Sequence, residues 1–246
     1  MKYNIIYMPG LNKNIQKKKY KKIIKSINLN EYILYFIMFH IKFYYEICRH
    51  YFYNFKKVLF PREVTLDPDD CLVLVLDAIE DYISLFSKYN IDSINDLTYE
   101  AESKDVPIVF TKWNRIIDSK IDDIFNKKAN WVYFIPKEAK LIKTLYVPIN
   151  AEIILTKFVN AFSENMSNVK LIDLLGKRKN LIICGSWTEA CVYQTAFHAA
   201  ENNINPYILS PGTVGISKYS SFSKKIDMES NFSYIVKRIN FKKSIN

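Results

Sequence analysis

Residues 180–210 read NLIICGSWTEACVYQTAFHAAENNINPYILS, and they decide the fold of this chain. The run that ends at Cys184 is short and rich in isoleucine, which is typical of a strand buried on both faces of a parallel sheet. Gly185 ends the run. From Thr188 onward, small and apolar residues recur three and four positions apart, which indicates a helix. The stretch therefore predicts a strand, a glycine turn and a helix whose first turn contains Cys191.

Cys191 is a candidate nucleophile because of that position. We expect Thr188 to be the N-cap of the helix and Glu189 to place a carboxylate in the first turn. The N–H groups and the positive dipole end of a helix N-terminus stabilise a thiolate, and they can also bind an oxyanion that forms beside the sulfur. A free cysteine is equally at home as a buried, inert side chain, and the spacing alone leaves both interpretations open.

The motif around Cys191 resembles a known family. The pattern G-x-x-T-x-x-C-V-x-x-T-A-x-x-A is similar to the nucleophile region of the isochorismatase-like cysteine hydrolases, and it is formed by Gly185, Thr188, Cys191, Val192, Thr195, Ala196 and Ala199. In that family one strand ends in an Asp and another in a Lys. Here Asp77 follows the apolar run 72–76. Lys157 follows 152–156 and begins a K-x-x-x-A-F pattern. The resemblance covers residue 64 to about residue 214.

The resemblance implies a catalytic triad of Asp77, Lys157 and Cys191. A thiol needs a base to remove its proton and a cation to stabilise the sulfur anion, and a carboxylate and an ammonium supply both. All three residues follow predicted parallel strands, whose carboxyl ends form the sites of open α/β sheets. Taken singly, Asp77 also suits a helix N-cap and Lys157 a solvated loop.

The same resemblance implies an oxyanion hole and a cis peptide. The family has a non-proline cis bond shortly before the cysteine, which here is Ser186-Trp187. The backbone N–H groups of Trp187 and Cys191 would then bind the oxyanion. Trp113, Trp131 and Phe134 are candidate walls of the substrate pocket, although aromatic residues in such a segment also serve simply as packing.

We expect no metal and no cofactor. Metal-dependent relatives such as nicotinamidases carry histidines in the region that corresponds to residues 112–150. This segment has Asp118, Asp122 and Asp123 but no histidine. A zinc or iron site of that kind is therefore not expected.

Alternating strands and helices predict an α/β fold with three layers, α/β/α, around a mostly parallel, Rossmann-like sheet of about six strands. We divide the 246 residues into a basic flexible tail (1–30), an aromatic-rich helical extension (31–63) and a hydrolase domain (64–240). Tyr32 to Ile41 is an uninterrupted run of apolar and aromatic residues, but this run is shorter than the roughly 20 residues that a bilayer crossing needs.

Charge is concentrated at the start of the chain. Residues 1–30 carry eight lysines and no acid, so they account for eight of the ten net positive charges, and the remainder is nearly neutral. We therefore expect a small-molecule substrate and no nucleic acid. A homo-oligomer, and contact of residues 13–57 with a membrane surface, stay open. The cysteines form no disulfide or metal framework, which favours an intracellular, cytoplasmic protein, and the basic leader leaves organelle targeting open.

The expected function is hydrolysis of a C–N bond in a small amide or ureide through a thioester on Cys191. Transfer to an acceptor other than water would use the same triad. Many family members have a Gln two residues after the catalytic Asp, where this chain has Ile79. That departure supports an alternative, a catalytically inactive domain that acts as a binding or scaffold protein.

Overall fold

The computed structural model describes residues 29–113, 139–156, 159–163, 165 and 167–243, with side chains from residue 37 onward. The chain divides at residue 50 into two units, 1–50 and 51–246. Helix α1 (Leu29–Leu59) passes through the division and covers most of the predicted helical extension. The domain boundaries drawn from the sequence stay a prediction.

One sheet forms the core of residues 51–246. In the described part of the chain it has seven strands: β1 (Arg62–Leu66), β2 (Cys71–Leu76), β3 (Ile108–Trp113), β4 (Glu152–Thr156), β5 (Asn180–Ser186), β6 (Asn205–Val214) and β7 (Tyr234–Phe241). Their order is β1-β7-β6-β5-β2-β3-β4, and every neighbouring pair is parallel. The three-layer α/β prediction is confirmed, with seven strands where about six were expected.

The additional strand is β1 at the edge of the sheet. It crosses the predicted boundary between the helical extension and the hydrolase domain, and Arg62 and Glu63 do not suggest a buried strand. An edge strand is half exposed, so it tolerates such residues. β1 pairs in parallel with β7, the last strand of the chain.

The helices differ in detail from the prediction. They are α2 (Lys88–Glu102), α3 (Leu171–Leu175), α4 (Tyr193–Glu201) and α5 (Lys218–Asn231), with 3-10 turns at Pro68–Asp70 and Glu80–Leu85 and a π turn at Thr188–Val192. From Ala78 to Tyr89 the apolar residues of the sequence have helical spacing, which predicts a helix, but the structure forms only the 3-10 turn Glu80–Leu85 there. Ser87 then starts α2 with a capping box, in which its hydroxyl accepts from the N–H of Asn90. Side-chain capping therefore sets the start of α2 more firmly than apolar spacing does.

The central strand pair brings the site residues together. Leu76, the last residue of β2, pairs with Gly185 near the end of β5. Gly185 has φ +104°, and a Cβ placed there would lie 1.9 Å from the carbonyl oxygen of Leu76. No side chain fits in that space, so glycine at this position allows the two strands to approach where Asp77 leaves the sheet.

We predict that Gly185→Ala destabilises the protein severely, by about 4 kcal/mol or more, because its Cβ meets rigid backbone. Gly176→Ala is the matched control. Gly176 also has a positive φ, +58°, but the nearest atom to its added Cβ is 3.9 Å away. Its expected cost is about 1–3 kcal/mol, from a backbone conformation (φ +58°, ψ −116°) that favours glycine. Urea unfolding of both variants measures the difference, and equal costs would contradict the close-approach explanation.

Candidate active site

Asp77 is held rigidly at the carboxyl end of β2. It has a positive φ of 45°, a conformation that Asp and Asn adopt more readily than most residues. Its N–H donates to Thr111 Oγ1 over 3.2 Å, and the Thr111 hydroxyl donates to Asp77 Oδ1 over 2.8 Å. The Ser186 hydroxyl donates to the Asp77 carbonyl oxygen over 2.8 Å. Thr111 of β3 therefore holds the carboxyl group of Asp77, and Ser186 of β5 holds its backbone.

Cys191 lies against that carboxyl group. Its thiol donates a hydrogen bond to Asp77, and the backbone N–H groups of Trp187 and of Cys191 itself approach the sulfur. The peptide bond Ser186-Trp187 is cis, which confirms the sequence prediction. The structure thus brings a carboxyl, a thiol and two backbone donors to one point at the carboxyl ends of β2 and β5.

Burial dominates the protonation of both groups. It raises the pKa of Asp77 from 3.8 to about 6, while hydrogen bonds from Thr111, from the Cys191 thiol and from the Trp113 N–H oppose the rise. Burial also raises the pKa of Cys191 well above its ordinary value, and the negative charge of Asp77 adds to the rise. Near neutral pH the pair therefore consists of a thiol and a carboxylate, joined by the thiol proton.

Cys191 lies in a π turn, where an α-helical first turn was expected. Thr188 is wrong as the predicted N-cap: Trp187 occupies that position, without a side-chain cap, and Thr188 is buried inside the turn. The Thr188 hydroxyl is 2.8 Å from the hydroxyl of Ser221 in α5. This contact between distant parts of the chain helps to fix the turn, and a local pattern does not reveal it.

Glu189 lies in the first turn, as predicted, and it also binds a distant segment. Its carboxylate accepts from the N–H of Ile216 over 3.3 Å and from the hydroxyl of Ser220, both near the start of α5. Gly215 leaves space for it, since a Cβ there would lie 2.3 Å from Glu189 Oε2. The carboxylate therefore ties the π turn that holds Cys191 to α5.

Lys225 reinforces the same region from α5. Its side chain is buried, and its ammonium donates to the carbonyl oxygens of Ser210 over 3.0 Å and Thr213 over 3.2 Å. Burial lowers its pKa to about 8, and the charge of Glu189 partly restores it. The buried ammonium of Lys225 thus holds the second half of β6, which follows the register shift between β5 and β6.

Tyr82 is a site residue whose helical spacing in the sequence predicts only a packing role. It is buried in the Glu80–Leu85 turn, and its ring centroid lies 5.2 Å from that of Trp187. Burial raises its pKa strongly, and the charges of Asp77 and Cys191 raise it further, which places the phenol near both. In the sequence, the only sign that Tyr82 belongs to the site is its position five residues after Asp77, the carboxylate that follows β2.

The remaining predicted residues divide into two groups. Trp113 is 3% exposed, so its side chain packs in the core, while its N–H donates to the Asp77 carboxyl. A role for Trp113 as a substrate wall stays a prediction. Lys157, Trp131 and Phe134 lie outside the described residues.

The sequence matches a family model described as the Isochorismatase domain over residues 71–238. No curated protein matches it. Three solved structures illustrate the likeness in fold. A cysteine hydrolase from Pseudomonas syringae pv. phaseolicola is 13% identical, covers 70% of this chain and 90% of its own, and has a TM-score of 0.56.

The other two structures are amidases by name. Pyrazinamidase of Pyrococcus horikoshii, in complex with zinc, is 20% identical, covers 68% of this chain and 98% of its own, and has a TM-score of 0.53. N-carbamoylsarcosine amidase from Thermoplasma acidophilum is 11% identical and has a TM-score of 0.54. The match covers 72% of this chain and 99% of the amidase. At these identities the structures show a shared fold.

The residues of this chain do not fit a histidine-based metal site. Its histidines are His40, His50 and His198, and none lies in the segment 112–150. Within the described ranges, no three His, Cys, Asp or Glu side chains are grouped so that they could hold a metal ion. We therefore derive no chemical step that passes through a metal.

The raised pKa of Asp77 predicts that this carboxylate opposes folding at neutral pH. The folded protein keeps its proton up to a pH of about 6 and the unfolded chain only to about 3.8, so stability from this group is lost as the pH rises between those values. Asp77→Asn removes the buried charge and suits the positive φ. We expect the variant to be more stable than the wild type by about 2 kcal/mol at pH 7.5.

The gain should disappear near pH 4, where Asp77 of the wild type is also neutral. Thermal unfolding at both pH values measures it, with Asp92→Asn on the exposed surface of α2 as the control. An Asp77→Asn variant that is less stable at pH 7.5 would show that the ionised carboxylate stabilises the fold.

Proposed function

This chain belongs to the isochorismatase family of hydrolases, and we propose that it cleaves a C–N bond of a small amide or ureide with Cys191 as the nucleophile. One observation carries the proposal: the buried Cys191 thiol donates a hydrogen bond to Asp77 while two backbone N–H groups approach the same sulfur. A nucleophile, a base and oxyanion donors are thus within reach of one carbonyl group.

In the first half of the reaction, Asp77 accepts the thiol proton as the sulfur attacks the substrate carbonyl carbon. The electrons of the C=O bond move to the oxygen, and the N–H groups of Trp187 and Cys191 stabilise the resulting charge. When the C=O bond re-forms, the C–N bond breaks. The nitrogen leaves with the proton held by Asp77, and a thioester remains on Cys191.

In the second half, water replaces the amine. Asp77 accepts a proton from the water as its oxygen attacks the thioester carbon, and the C–S bond then breaks. The sulfur leaves and recovers a proton from Asp77, and the acid product departs. A base that titrates near pH 6 suits both directions of proton transfer at neutral pH.

Lys157 completes the proposed triad. Burial and Asp77 both raise the pKa of the Cys191 thiol, so a thiolate here needs a compensating cation. Lys157 directly follows β4, which pairs with β3, the strand that carries Thr111. The carboxyl end of β4 lies at the same edge of the sheet as Asp77, so the position of Lys157 in the chain suits an ammonium near the thiol–carboxylate pair.

A small amide or ureide is the substrate class that the site supports best. A thiolate attacks carbonyl carbon readily, and the resulting thioester is open to water. Two proteins of the same fold, the pyrazinamidase and the N-carbamoylsarcosine amidase, are amidases by name. Acceptors other than water would use the same thioester.

We predict that a panel of small amides identifies a substrate and that Cys191→Ser then lowers kcat/KM at least about 1,000-fold, because a hydroxyl with the same partners is a far weaker nucleophile. The panel holds pyridine and pyrazine carboxamides, N-carbamoyl amino acids and short aliphatic amides. Cys184→Ser is the matched control, since Cys184 is also buried but lies within β5 near the Leu74 carbonyl oxygen. Retained turnover in Cys191→Ser would remove the mechanism.

A binding or scaffold protein is the second candidate. The strongly raised pKa of Cys191 and the Ile79 in place of Gln both favour it, because an unactivated thiol and an altered substrate position suit an inactive member. The two candidates differ in thiol reactivity, which needs no substrate.

We predict that iodoacetamide modifies Cys191 at a rate that rises through about pH 6 as Asp77 ionises. The experiment uses a Cys48→Ser background, since Cys48 is exposed, and mass spectrometry compares Cys191 with the buried Cys71 and Cys184. The Cys191 rate should exceed theirs about 100-fold at pH 7.

If the ammonium of Lys157 stabilises the thiolate, Lys157→Met should reduce the rate at which iodoacetamide modifies Cys191 about tenfold, and Lys157→Arg should preserve most of that rate. Equal and slow modification of Cys191 and Cys184 would instead favour the scaffold. A fast Cys191 that is unaffected by Lys157→Met would keep the nucleophile and exclude Lys157 from its activation.

A further inference from the structure

Helix α1 carries a stripe of apolar and aromatic side chains along one face. The members recur three or four residues apart, or flank those that do, and they are Ile37, Ile41, Tyr44, Tyr45, Cys48, Tyr51, Phe52 and Phe55. Ile41 is 65% exposed, Tyr44 63% and Phe52 60%. A monomeric soluble protein rarely exposes so continuous an apolar surface without a partner for it.

The C-terminal end of α1 is anchored in the unit that contains the sheet. Asn54 and Val58 are buried there. The Phe55 ring meets that of Phe222 edge to face at 5.4 Å, and Lys57 Nζ lies 3.0 Å from Glu229. These contacts hold the last turns, while the stripe from residue 37 to residue 52 stays exposed.

A row of basic side chains borders the apolar stripe of α1 on one side. Lys42, Arg49 and Lys56 recur every seven residues and so form one row along the helix. Among the residues whose side chains the structure describes, the acid nearest this row is Glu46, which pairs with Arg49 over 2.7 Å. Residues 1–30 add eight lysines and no acid. The helix therefore has an apolar stripe bordered by a positive row, and it follows a positive leader. Its far side also exposes Phe39 and Phe43.

The charge and shape of α1 distinguish between two partners for the apolar stripe, a second copy of this chain and an anionic lipid surface. A two-stranded coiled coil buries a narrow seam, but here Tyr45 and Phe52 widen the apolar face well beyond one. A parallel second copy would also place two lysine-rich leaders side by side, where they repel. An anionic lipid surface attracts them and accepts a wide aromatic face, and tyrosine is suited to its polar boundary.

We propose that α1 lies in the plane of an anionic phospholipid surface, with its apolar stripe in the acyl boundary and its basic row toward the headgroups. In the part of the chain that the structure describes, no helix has the length and apolar character to cross a membrane. Surface association fits that finding, because it needs one apolar face and positive charge and does not require a continuous apolar cylinder.

The test is flotation of the full chain with vesicles of phosphatidylcholine alone and with 30% phosphatidylserine. We expect binding to the anionic vesicles and at least about tenfold weaker binding to the neutral ones, because several basic groups contribute. Replacing Lys42, Arg49 and Lys56 together with Gln should weaken anionic binding about 100-fold.

Two tyrosines provide a matched pair. Tyr44 lies on the stripe, and Tyr53 is nine residues, or two and a half turns, farther along and therefore on the opposite face. They are 63% and 60% exposed, and Lys57 Nζ lies 4.5 Å from the Tyr53 ring centroid. Tyr44→Glu and Tyr53→Glu change net charge equally. Only Tyr44→Glu should weaken binding to the anionic vesicles, with a rise in apparent Kd of about tenfold or more.

Three outcomes overturn the proposal: no flotation of the wild type, equal loss in both tyrosine variants, or equal binding to neutral and anionic vesicles. If sedimentation instead finds a dimer that Tyr44→Glu dissociates, without lipid binding, a second copy occupies the stripe. Thermal unfolding of each variant shows that the sheet unit remains folded.

Discussion

The candidate site depends on how closely two parallel strands approach at their carboxyl ends. Leu76 and Gly185 pair at this point, and the space between them admits no Cβ. Asp77 leaves one strand directly after the contact, and the cis peptide and π turn leave the other. A carboxyl and a thiol from distant segments meet because these two paired strands hold their backbones in close contact. The site is therefore a consequence of sheet packing.

That approach places two ionisable groups where neither ionises easily. The pKa of Asp77 and that of Cys191 are both raised by burial, and the hydrogen bonds from Thr111 and from the Trp113 N–H only partly offset it. A buried, unfavourable charge persists only where the rest of the fold is stable enough to hold it. Strand β2 is fully buried and β5 nearly so, and together they provide that stability. As a result, the fold can hold the Cys191 thiol proton between the sulfur and the Asp77 carboxylate.

The sequence predicted what depends on strand ends and missed what depends on distant contacts. Buried apolar runs indicated the central strands, and the rule that parallel strands end at one edge brought Asp77 to Cys191. The sequence did not predict the π turn, because the groups that hold it lie about thirty residues later. The hydroxyl of Ser221 comes from α5, and the groups that bind the Glu189 carboxylate come from the start of α5 and the residues just before it. Tyr82 was missed because a buried tyrosine in a turn has the same local pattern as one in a helix.

Helix α5 joins features that the sequence suggested separately. Ser221 meets Thr188 in the turn that holds Cys191, and the next residue, Phe222, packs on Phe55 of α1. Consecutive residues of a helix point in directions about 100° apart, so one turn of α5 touches both. A change in how the end of α1 is held therefore reaches the Cys191 turn through a single packed helix. Ser221 and Phe222 are therefore the neighbouring residues of α5 through which the end of α1 and the Cys191 turn are in contact with one helix.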